Sequence, residues 1–244
     1  MTTKALIILS YNEIEGSKAV YDQIPFDLFD ELLVVDGGST DGTVEYWLEK
    51  GHRVAIQGIP GRGSAFVLAQ ALTTSDILLY FSPDGNENPN DMKKIIEKLD
   101  QGSDLVVATR FGKGGSSDDA GIIRSFGNKM FTFLIRLFFR VPTTDAVNGY
   151  RGIYRNKFEL LNLPNSKFQI EFQMTVRAGK MKINYDEVPT HEGDRIGGFS
   201  KAGTISVGWS FVKLFFSELF TGKRFLNKKI DQDLGEYKIL GDKE

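Results

Sequence analysis

Short apolar runs alternate with amphipathic, helix-like stretches through the first 109 residues of the chain. The runs are bounded by Gly, Asp, Ser or Pro and contain many β-branched side chains, which is typical of strands. They predict strands at 5–9, 31–36, 53–57, 76–81 and 104–109. The stretches between them predict helices at 13–23, 42–50, 63–72 and 90–99. This alternation favours an α/β fold with a mostly parallel sheet flanked by helices.

Polar, glycine-rich segments follow the predicted strands. They lie at 10–13, 36–43, 58–64, 82–90 and 110–115. Because ligands of open α/β sheets bind beyond the carboxyl ends of the strands, these segments are the predicted binding site.

Two later stretches, 129–140 and 204–221, combine a narrow polar stripe with a broad face of Phe, Leu, Ile, Val and Trp. Neither reaches 18 uncharged apolar residues, so no transmembrane span is predicted. The second is followed by basic residues, Lys223, Arg224, Lys228 and Lys229. This pattern favours helices that lie in a membrane interface. The alternative is a pair of core or dimer-interface helices, which leaves a homo-oligomer possible.

Length and composition narrow the class of protein. No linker or repeat divides the 244 residues, so we expect one domain over 1–201 and an amphipathic helix with a charged tail over 202–244. The absence of cysteine excludes disulfides, a thiolate nucleophile and cysteine-bound metal. The first residues show no signal-peptide pattern, so we expect a cytoplasmic protein, peripheral on the cytoplasmic face of a membrane.

Charge is nearly balanced overall but uneven along the chain. A net charge of −2 argues against a nucleic-acid binder. Residues 1–119 carry 10 basic and 19 acidic side chains, whereas 120–144 carry four basic side chains and no acid. Residues 195–230 carry seven basic side chains and one acid. The two basic blocks favour an anionic partner, either phosphate groups or a membrane surface.

The most specific string in the chain is Asp36-Gly-Gly-Ser-Thr-Asp-Gly-Thr43, directly after a predicted strand. Its glycines permit a tight turn, and Ser39 and Asp41 can cap the next helix. Asp36, at the end of the strand, can accept hydrogen bonds from a base or a ribose. A purely structural role, in a turn and a helix cap, accounts for the glycines of this string. It accounts less readily for an Asp at the end of the strand, at position 36.

This string resembles the second-strand motif of family 2 glycosyltransferases, Asp-Asp-Gly-Ser-x-Asp-Gly-Thr, with Gly37 in place of the second Asp. Other family-like strings follow in the family's order. They are Ser10-Tyr-Asn-Glu13, Gly61-Arg-Gly-Ser-Ala65, Asp104-Leu-Val-Val-Ala-Thr-Arg110-Phe, Arg124-Ser-x-x-Asn128, Asp145-Ala-Val-Asn-Gly149-Tyr-Arg151 and Arg195-x-x-Gly-x-Ser-Lys201. The strings after residue 100 are similar to the dolichyl- or polyprenyl-phosphate mannosyltransferase branch.

The resemblance implies a GT-A fold, a nucleotide-sugar donor such as GDP-mannose or UDP-glucose, and a Mg²⁺ or Mn²⁺ cofactor. It implies donor contacts from Ser10, Tyr11, Glu13, Asp36, Gly38, Arg62, Gly63, Ser82 and Lys201. It implies an acceptor pocket formed by Ser125, Asn128, Asp145, Gly149 and Arg151. Walker A and dinucleotide-binding alternatives fail because neither glycine pattern is present.

At the metal position the chain departs from the family. The family's Asp-x-Asp reads Ser82-Pro-Asp84 here, so the first carboxylate is missing. Asp84 and Asn86 are the expected ligands of a weakened cation site, since Mg²⁺ and Mn²⁺ prefer oxygen donors. The alternatives are a site in which Arg and Lys neutralise the diphosphate, and a catalytically silent module that only binds the nucleotide sugar.

The acceptor determines the chemistry. A polyprenyl phosphate oxygen is already ionised and needs cations, for which Arg110, Arg124 and Arg195 are the candidates. A saccharide or lipid hydroxyl instead needs a general base, for which Glu171 is the best candidate and Asp145 the second. The two basic blocks favour the phosphate acceptor and a peripheral membrane enzyme. Displacement by a bound nucleophile on the face opposite the leaving group predicts inversion at the anomeric carbon.

Overall fold

A large mixed sheet forms the centre of the computed structural model, which describes residues 2–118, 121–166, 169–196, 204–227 and 233–241. Within these ranges the side chains of 122, 124 and 204–207 are outside the description. The sheet strands are β1 (Lys4–Ser10), β2 (Glu31–Asp36), β3 (Arg53–Ile56), β4 (Ile77–Phe81), β5 (Leu105–Thr109), β7 (Arg151–Tyr154), β8 (Tyr185–Pro189) and β10 (Lys238–Leu240). Two short strands, β6 (Ser116–Ser117) and β9 (His191–Glu192), pair separately.

Helices cover both faces of this sheet. They are α1 (Ile14–Val20), α2 (Thr43–Glu49), α3 (Arg62–Leu72), α4 (Asp91–Asp100), α5 (Ile122–Phe139), α6 (Arg155–Leu161), α7 (Ile170–Met181) and α8 (Thr204–Thr221). Short 3₁₀ turns lie at Tyr21–Gln23, Phe26–Leu28 and Arg224–Asn227.

The strand order is β10-β3-β2-β1-β4-β7-β5-β8. Strands β3, β2, β1 and β4 run parallel, and β5 and β8 are parallel to each other. The mostly parallel α/β sheet predicted from the sequence is confirmed. Strand β7, which lies antiparallel between β4 and β5, was not predicted.

The core lies on both faces of the sheet because successive strand residues point to opposite sides. In β1, Ala5, Ile7 and Leu9 pack in the layer that includes α3 and α7. Leu6 and Ile8 pack in the opposite layer, which includes Trp47 and α4. This two-sided burial explains why the strands are apolar runs without alternation.

A third apolar cluster joins α5, α7 and α8. The Phe172 ring stacks on Phe211 with their centroids 5.3 Å apart, and Phe131 meets Phe172 edge-on at 5.5 Å. Glu218 on α8 is buried and pairs with Arg177 on α7, with the Arg177 Nη2 and Glu218 Oε1 atoms 2.9 Å apart. One face of α8 is therefore part of the folded core.

The opposite faces of α5 and α8 are exposed and apolar. Phe126 on α5 is 71% exposed and Phe220 on α8 is 77% exposed. The exposed large apolar residues of the two helices are Ile123, Phe126, Met130, Phe133, Leu137, Phe138, Trp209, Phe216 and Phe220. Each helix thus has one core face and one exposed apolar face. Across the described ranges, no helix has the length and apolar character needed to cross a membrane.

The last described segment returns to the sheet. β10 pairs antiparallel with β3, with Ile239 opposite Ala55. Part of the expected tail over 202–244 is therefore an edge strand of the sheet. The expected boundary at residue 201 lies among residues that the structure does not describe, and it stays a prediction.

Candidate active site

A cleft of about 730 Å³ opens beyond the carboxyl ends of β1, β2, β4 and β5, where the sequence predicted it. Many of the predicted site residues line it. They are Ser10, Tyr11, Glu13, Arg62, Ser82, Asp84, Asn86, Arg110, Gly149, Glu171 and Arg195. These residues come from seven separate segments of the chain, so the fold assembles the ordered motifs into one site.

Other predicted site residues do not line the cleft. They are Asp36, Gly38, Gly63, Ser125, Asn128, Asp145 and Arg151. The side chain of Arg124 and the whole of Lys201 lie outside the described residues.

Asp36 stabilises the turn that follows β2. Its Oδ1 atom accepts hydrogen bonds from the backbone N–H groups of Gly38 and Ser39, at 2.9 and 2.7 Å. Its Oδ2 atom accepts one from the Ser39 hydroxyl at 2.6 Å. Asp36 is fully buried, whereas the adjacent Val35 and Gly37 line the cleft. The structure therefore gives Asp36 the role of a turn-forming residue, and direct contact with a base or ribose stays a prediction.

The loops after β1 and β2 are fastened together. Asn12, with φ of +52°, donates its backbone N–H to Ser39 Oγ at 2.7 Å and accepts the Thr40 N–H at 2.8 Å. Tyr11 lies against Gly37, where an added Cβ would be 3.1 Å from the Tyr11 ring. Because Tyr11 is packed there, Gly37 in place of the family's Asp leaves room for that ring.

The 82–87 turn holds the expected metal ligands. Asp84 Oδ2 is 3.0 Å from Arg195 Nη2, and its Oδ1 accepts the Asn86 backbone N–H at 3.3 Å. Burial raises the pKa of the Asp84 carboxyl, although the Arg195 charge partly opposes this. Gly85 has φ of +85°, and an added Cβ would lie 2.6 Å from the Ile196 side chain. Glycine is therefore required at this turn on both conformational and steric grounds.

Glu87 was missed by the sequence analysis. It lines the same cleft, and its Oε2 atom accepts the Ser82 backbone N–H at 2.8 Å. Burial, followed by the nearby Asp84 charge, raises the pKa of Glu87 to about 8. The available signal was a carboxylate only three residues after Asp84.

Arg62, at the start of α3, lies between two of the predicted residues. Its Nε donates to the buried Glu171 carboxylate, and its Nη1 donates to Ser82 Oγ at 3.0 Å. Burial alone would lower the pKa of Arg62, but Glu171, Glu87 and Asp84 outweigh it and raise the value. A Cβ at Gly149 would collide with this guanidinium. Glu171, the candidate base, is therefore the counter-ion of Arg62.

Arg110 is held by two carboxylates. It makes a two-point contact with Asp145, at 2.7 Å from Nε and 3.0 Å from Nη2, and its Nη1 is 3.0 Å from Glu192. Burial opposes the charge, but Asp145 and Glu192 raise the pKa of Arg110. Asn128 donates to the same Asp145 at 2.7 Å, so the predicted pocket residues Asn128 and Asp145 position Arg110 from behind the cleft.

Arg151 lies beneath the cleft floor. It is fully buried, and burial lowers its pKa. Its guanidinium donates to the backbone oxygens of Asn148 and Glu171, at 2.9 and 3.0 Å. These contacts support the Asn148–Gly149 wall, so Arg151 is placed to position that wall. Its expected contact with the acceptor stays a prediction.

The donor atoms around Asp84 fit a hard divalent cation. The described chain has no cluster of three His, Asp or Glu residues that would form a closed protein metal site. Asn86 is only 5% exposed and lines the cleft, yet its side-chain amide has no hydrogen-bond partner among the described residues. The buried Ser10 hydroxyl at the same cleft is likewise without a partner in the described ranges. An open, oxygen-lined site of this kind suits Mg²⁺ or Mn²⁺, which take further ligands from phosphates and water.

Residues 6–161, well over half of the chain, match the family described as Glycosyl transferase family 2. This chain belongs to glycosyltransferase family 2. Glycosyltransferase AglJ of Haloferax volcanii is 32% identical over 195 residues, covering 78% of this chain and 63% of AglJ. Dolichol-phosphate mannosyltransferase of Pyrococcus furiosus is 26% identical over 209 residues, covering 81% of this chain and 58% of that protein.

Solved structures share the fold. Glucosyl-3-phosphoglycerate synthase from Mycobacterium tuberculosis, in complex with Mn²⁺, UDP-glucose and phosphoglyceric acid, superposes with a TM-score of 0.70. It is 20% identical and covers 90% of this chain and 80% of its own. The GT-A fold predicted from the motifs is thus confirmed. The chain is therefore a family 2 glycosyltransferase, and its sequence is similar to that of a dolichol-phosphate mannosyltransferase.

Proposed function

We propose that this enzyme transfers a hexose from a nucleoside-diphosphate sugar to a polyprenyl or dolichyl phosphate at a membrane surface, with inversion at the anomeric carbon. The observation that carries the proposal is the ion pair between Glu171 and Arg62. A hydroxyl acceptor requires a base to remove its proton. Since the candidate base neutralises Arg62, an acceptor that arrives already ionised fits the site better.

The donor diphosphate is assigned to the part of the cleft between Arg62 and Arg195. Both guanidinium groups line the cleft, on either side of Ser82 and Asp84. Guanidinium groups bind phosphate oxygens in a planar, two-point manner. Asp84 and Asn86 would hold a Mg²⁺ or Mn²⁺ ion, which would neutralise the charge that develops on the leaving diphosphate.

The acceptor lipid is assigned to a second groove of about 500 Å³ on α5. It is lined by Phe111, Lys129, Thr132, Phe133, Arg136, Leu137 and Thr144. Phe111 follows Arg110, so the groove begins beside the cleft. Its combination of two cations with an apolar wall complements a phosphate joined to a hydrocarbon chain.

The exposed apolar faces of α5 and α8 support a peripheral membrane association. Exposed basic residues border those faces, with Arg136 on α5, Arg140 directly after it and Lys213 on α8. Lys223 and Arg224 follow α8 and are also exposed, while the predicted Lys228 and Lys229 lie outside the described residues. Apolar side chains ringed by cations are the features that hold an interfacial helix on an anionic bilayer.

The proposed reaction is a single displacement. A phosphate oxygen of the acceptor forms a bond to the anomeric carbon as the bond from that carbon to the donor diphosphate breaks. The electron pair of the broken bond leaves with the nucleoside diphosphate, and no proton is transferred. Attack from the face opposite the leaving group inverts the configuration. The enzyme's part is to align the two phosphates and compensate their charge.

The proposal does not specify which sugar the donor carries or which nucleobase it contains. One relative is named UDP-N-acetylglucosamine–dolichyl-phosphate N-acetylglucosaminyltransferase, from Methanococcus voltae, and is 24% identical over 208 residues. Its name and that of the Pyrococcus mannosyltransferase support a dolichyl-phosphate acceptor. GDP-mannose and UDP-glucose are the donors we propose to test first.

The decisive assay follows labelled sugar from GDP-mannose or UDP-glucose in the presence of Mg²⁺ or Mn²⁺. Acceptors are a short polyprenyl phosphate, the matching polyprenol, phosphoglycerate and simple saccharides. We expect label on the polyprenyl phosphate alone, in a product of inverted configuration. Label on a hydroxyl acceptor would refute the proposal in favour of base catalysis. Donor binding without transfer to any acceptor would indicate a catalytically silent binding module.

A further inference from the structure

The turn from Ser82 to Glu87 carries a second carboxylate that the family motif does not anticipate. The family's first metal-binding Asp is Ser82 here, and Ser82 Oγ accepts a hydrogen bond from Arg62 Nη1 at 3.0 Å. Because the Ser82 side chain is uncharged, it cannot neutralise a cation as the family's Asp would. Glu87 nevertheless lines the same cleft as Asp84 and Asn86.

The backbone brings Glu87 back to the start of the turn. The Ser82 N–H donates to Glu87 Oε2 at 2.8 Å, which places the Glu87 carboxylate within hydrogen-bond distance of residue 82. Gly85, in the left-handed region at φ of +85°, lets the chain reverse between them. The side chain of Glu87 is long enough to restore from position 87 a carboxylate that is missing at position 82.

We propose that Glu87 replaces the missing Asp as a ligand of the divalent cation, so that the cation site is Asp84, Asn86 and Glu87. This inference rests on the proposed function, because it assumes that a cation sits on the donor diphosphate. Asn86, a residue that is only 5% exposed and lines the cleft, supplies the third oxygen from its side-chain amide. Two carboxylates and one amide oxygen leave coordination positions for phosphate oxygens and water.

The ion pair with Arg195 is compatible with this site. Arg195 Nη2 lies 3.0 Å from Asp84 Oδ2. A carboxylate offers about four lone-pair positions, so Asp84 can bind a cation while it keeps its contacts with Arg195 and the Asn86 backbone N–H. Glu87 uses only Oε2 in its hydrogen bond to Ser82, and no described residue contacts Oε1 through a hydrogen bond.

The test measures Mn²⁺ binding directly, by the loss of the free-ion signal in electron paramagnetic resonance, with Mn²⁺ alone and with UDP or GDP. Glu87→Gln removes the group that can ionise beside a cation but keeps an oxygen that can accept the Ser82 N–H. We expect it to raise the Kd for Mn²⁺ at least about tenfold, since loss of even an outer-shell partner costs 10- to 100-fold. Glu97→Gln, an exposed change on α4, is the matched control and should bind as the unmodified enzyme does.

The reciprocal variant returns the carboxylate to its family position. Ser82→Asp combined with Glu87→Gln should recover the original Kd to within about threefold. If Glu87→Gln does not fold, the double variant is compared with the unmodified enzyme instead. An equal Kd for Mn²⁺ supports the proposal, and a Kd about tenfold higher overturns it. Unchanged Mn²⁺ affinity in a folded Glu87→Gln variant would overturn the role of Glu87, and it would leave the proposed function standing. No Mn²⁺ binding by the unmodified enzyme would overturn both this site and the cation-dependent part of the proposed function.

Discussion

The ion pair between Arg62 and Glu171 makes a sharp prediction for Glu171→Gln. Glu171 is 6% exposed and Arg62 is 28% exposed, so the pair is largely screened from solvent. Removing one partner of a fully buried pair costs about 3–5 kcal/mol. Because Arg62 is more than a quarter exposed and Gln still accepts its hydrogen bond, we expect about 1–3 kcal/mol. For a domain of this size each kcal/mol corresponds to about 2–4 °C in Tm.

The same variant separates the two acceptor chemistries. If Glu171 only holds Arg62, the change disturbs the donor phosphate site, and the KM for the nucleotide sugar should rise about tenfold while kcat changes by less than that. If Glu171 is the general base, kcat should fall by about 10²–10⁴. Initial rates with labelled donor, measured from pH 5 to 9, distinguish the two. Glu159→Gln, an exposed change on α6, is the matched control.

Two results together would refute our reasoning about Glu171. One is a fall in kcat beyond about 10²-fold in a variant whose Tm is unchanged. The other is loss of the acidic limb of the pH–rate profile, since that limb reports titration of a base. A lowered Tm with a raised KM and an intact pH profile supports the ion-pair role.

Three further predictions follow from particular contacts. Glu218→Gln should lower Tm, because Glu218 pairs with Arg177 at 2.9 Å, where both side chains are more than nine-tenths buried. Burial opposes ionisation of Glu218, but its hydrogen bonds outweigh burial and lower the pKa of the carboxyl. The stabilisation that Glu218 gives the fold should therefore be present above the unfolded pKa and be lost as pH falls through the folded pKa. A difference in Tm between the enzyme and the variant that does not change with pH would contradict this. Asp84→Asn should abolish cation-dependent transfer, measured with and without chelator, and unchanged activity would remove Asp84 from the site. Phe126→Asp and Phe220→Asp together should reduce sedimentation with anionic vesicles, and unaltered binding would assign those exposed faces to another partner.

Much of the fold was predictable because its signals are local. The five strands expected in the first half all occur, and their glycine-rich ends meet at one cleft. Strand β7 was not predicted, because Arg151–Tyr154 is only four residues long and pairs with strands distant in sequence. Strand β10 was not predicted for the same reason, since Lys238–Leu240 is a three-residue edge strand.

The site was predictable as a set of residues but not as a set of contacts. The motifs identified Arg62 and Glu171, yet their pairing joins positions 109 residues apart and decides whether Glu171 acts as a base. Likewise, Arg110 was expected to hold the acceptor phosphate, whereas Asp145 and Glu192 already neutralise much of its charge. The ionic partner of a side chain depends on tertiary packing, which no single motif encodes.

The two departures from the family motifs each have a partner in the structure. Gly37 replaces an Asp, and the Tyr11 ring packs where that side chain would begin. Ser82 replaces another Asp, and its hydroxyl accepts from Arg62 while its N–H is satisfied by Glu87. In both cases a neighbouring side chain contacts the residue that replaces the carboxylate. Substitutions that accumulate in an inactive site would not be expected to have such specific contacts. The contacts of Gly37 and Ser82 therefore favour a cleft that still binds its donor.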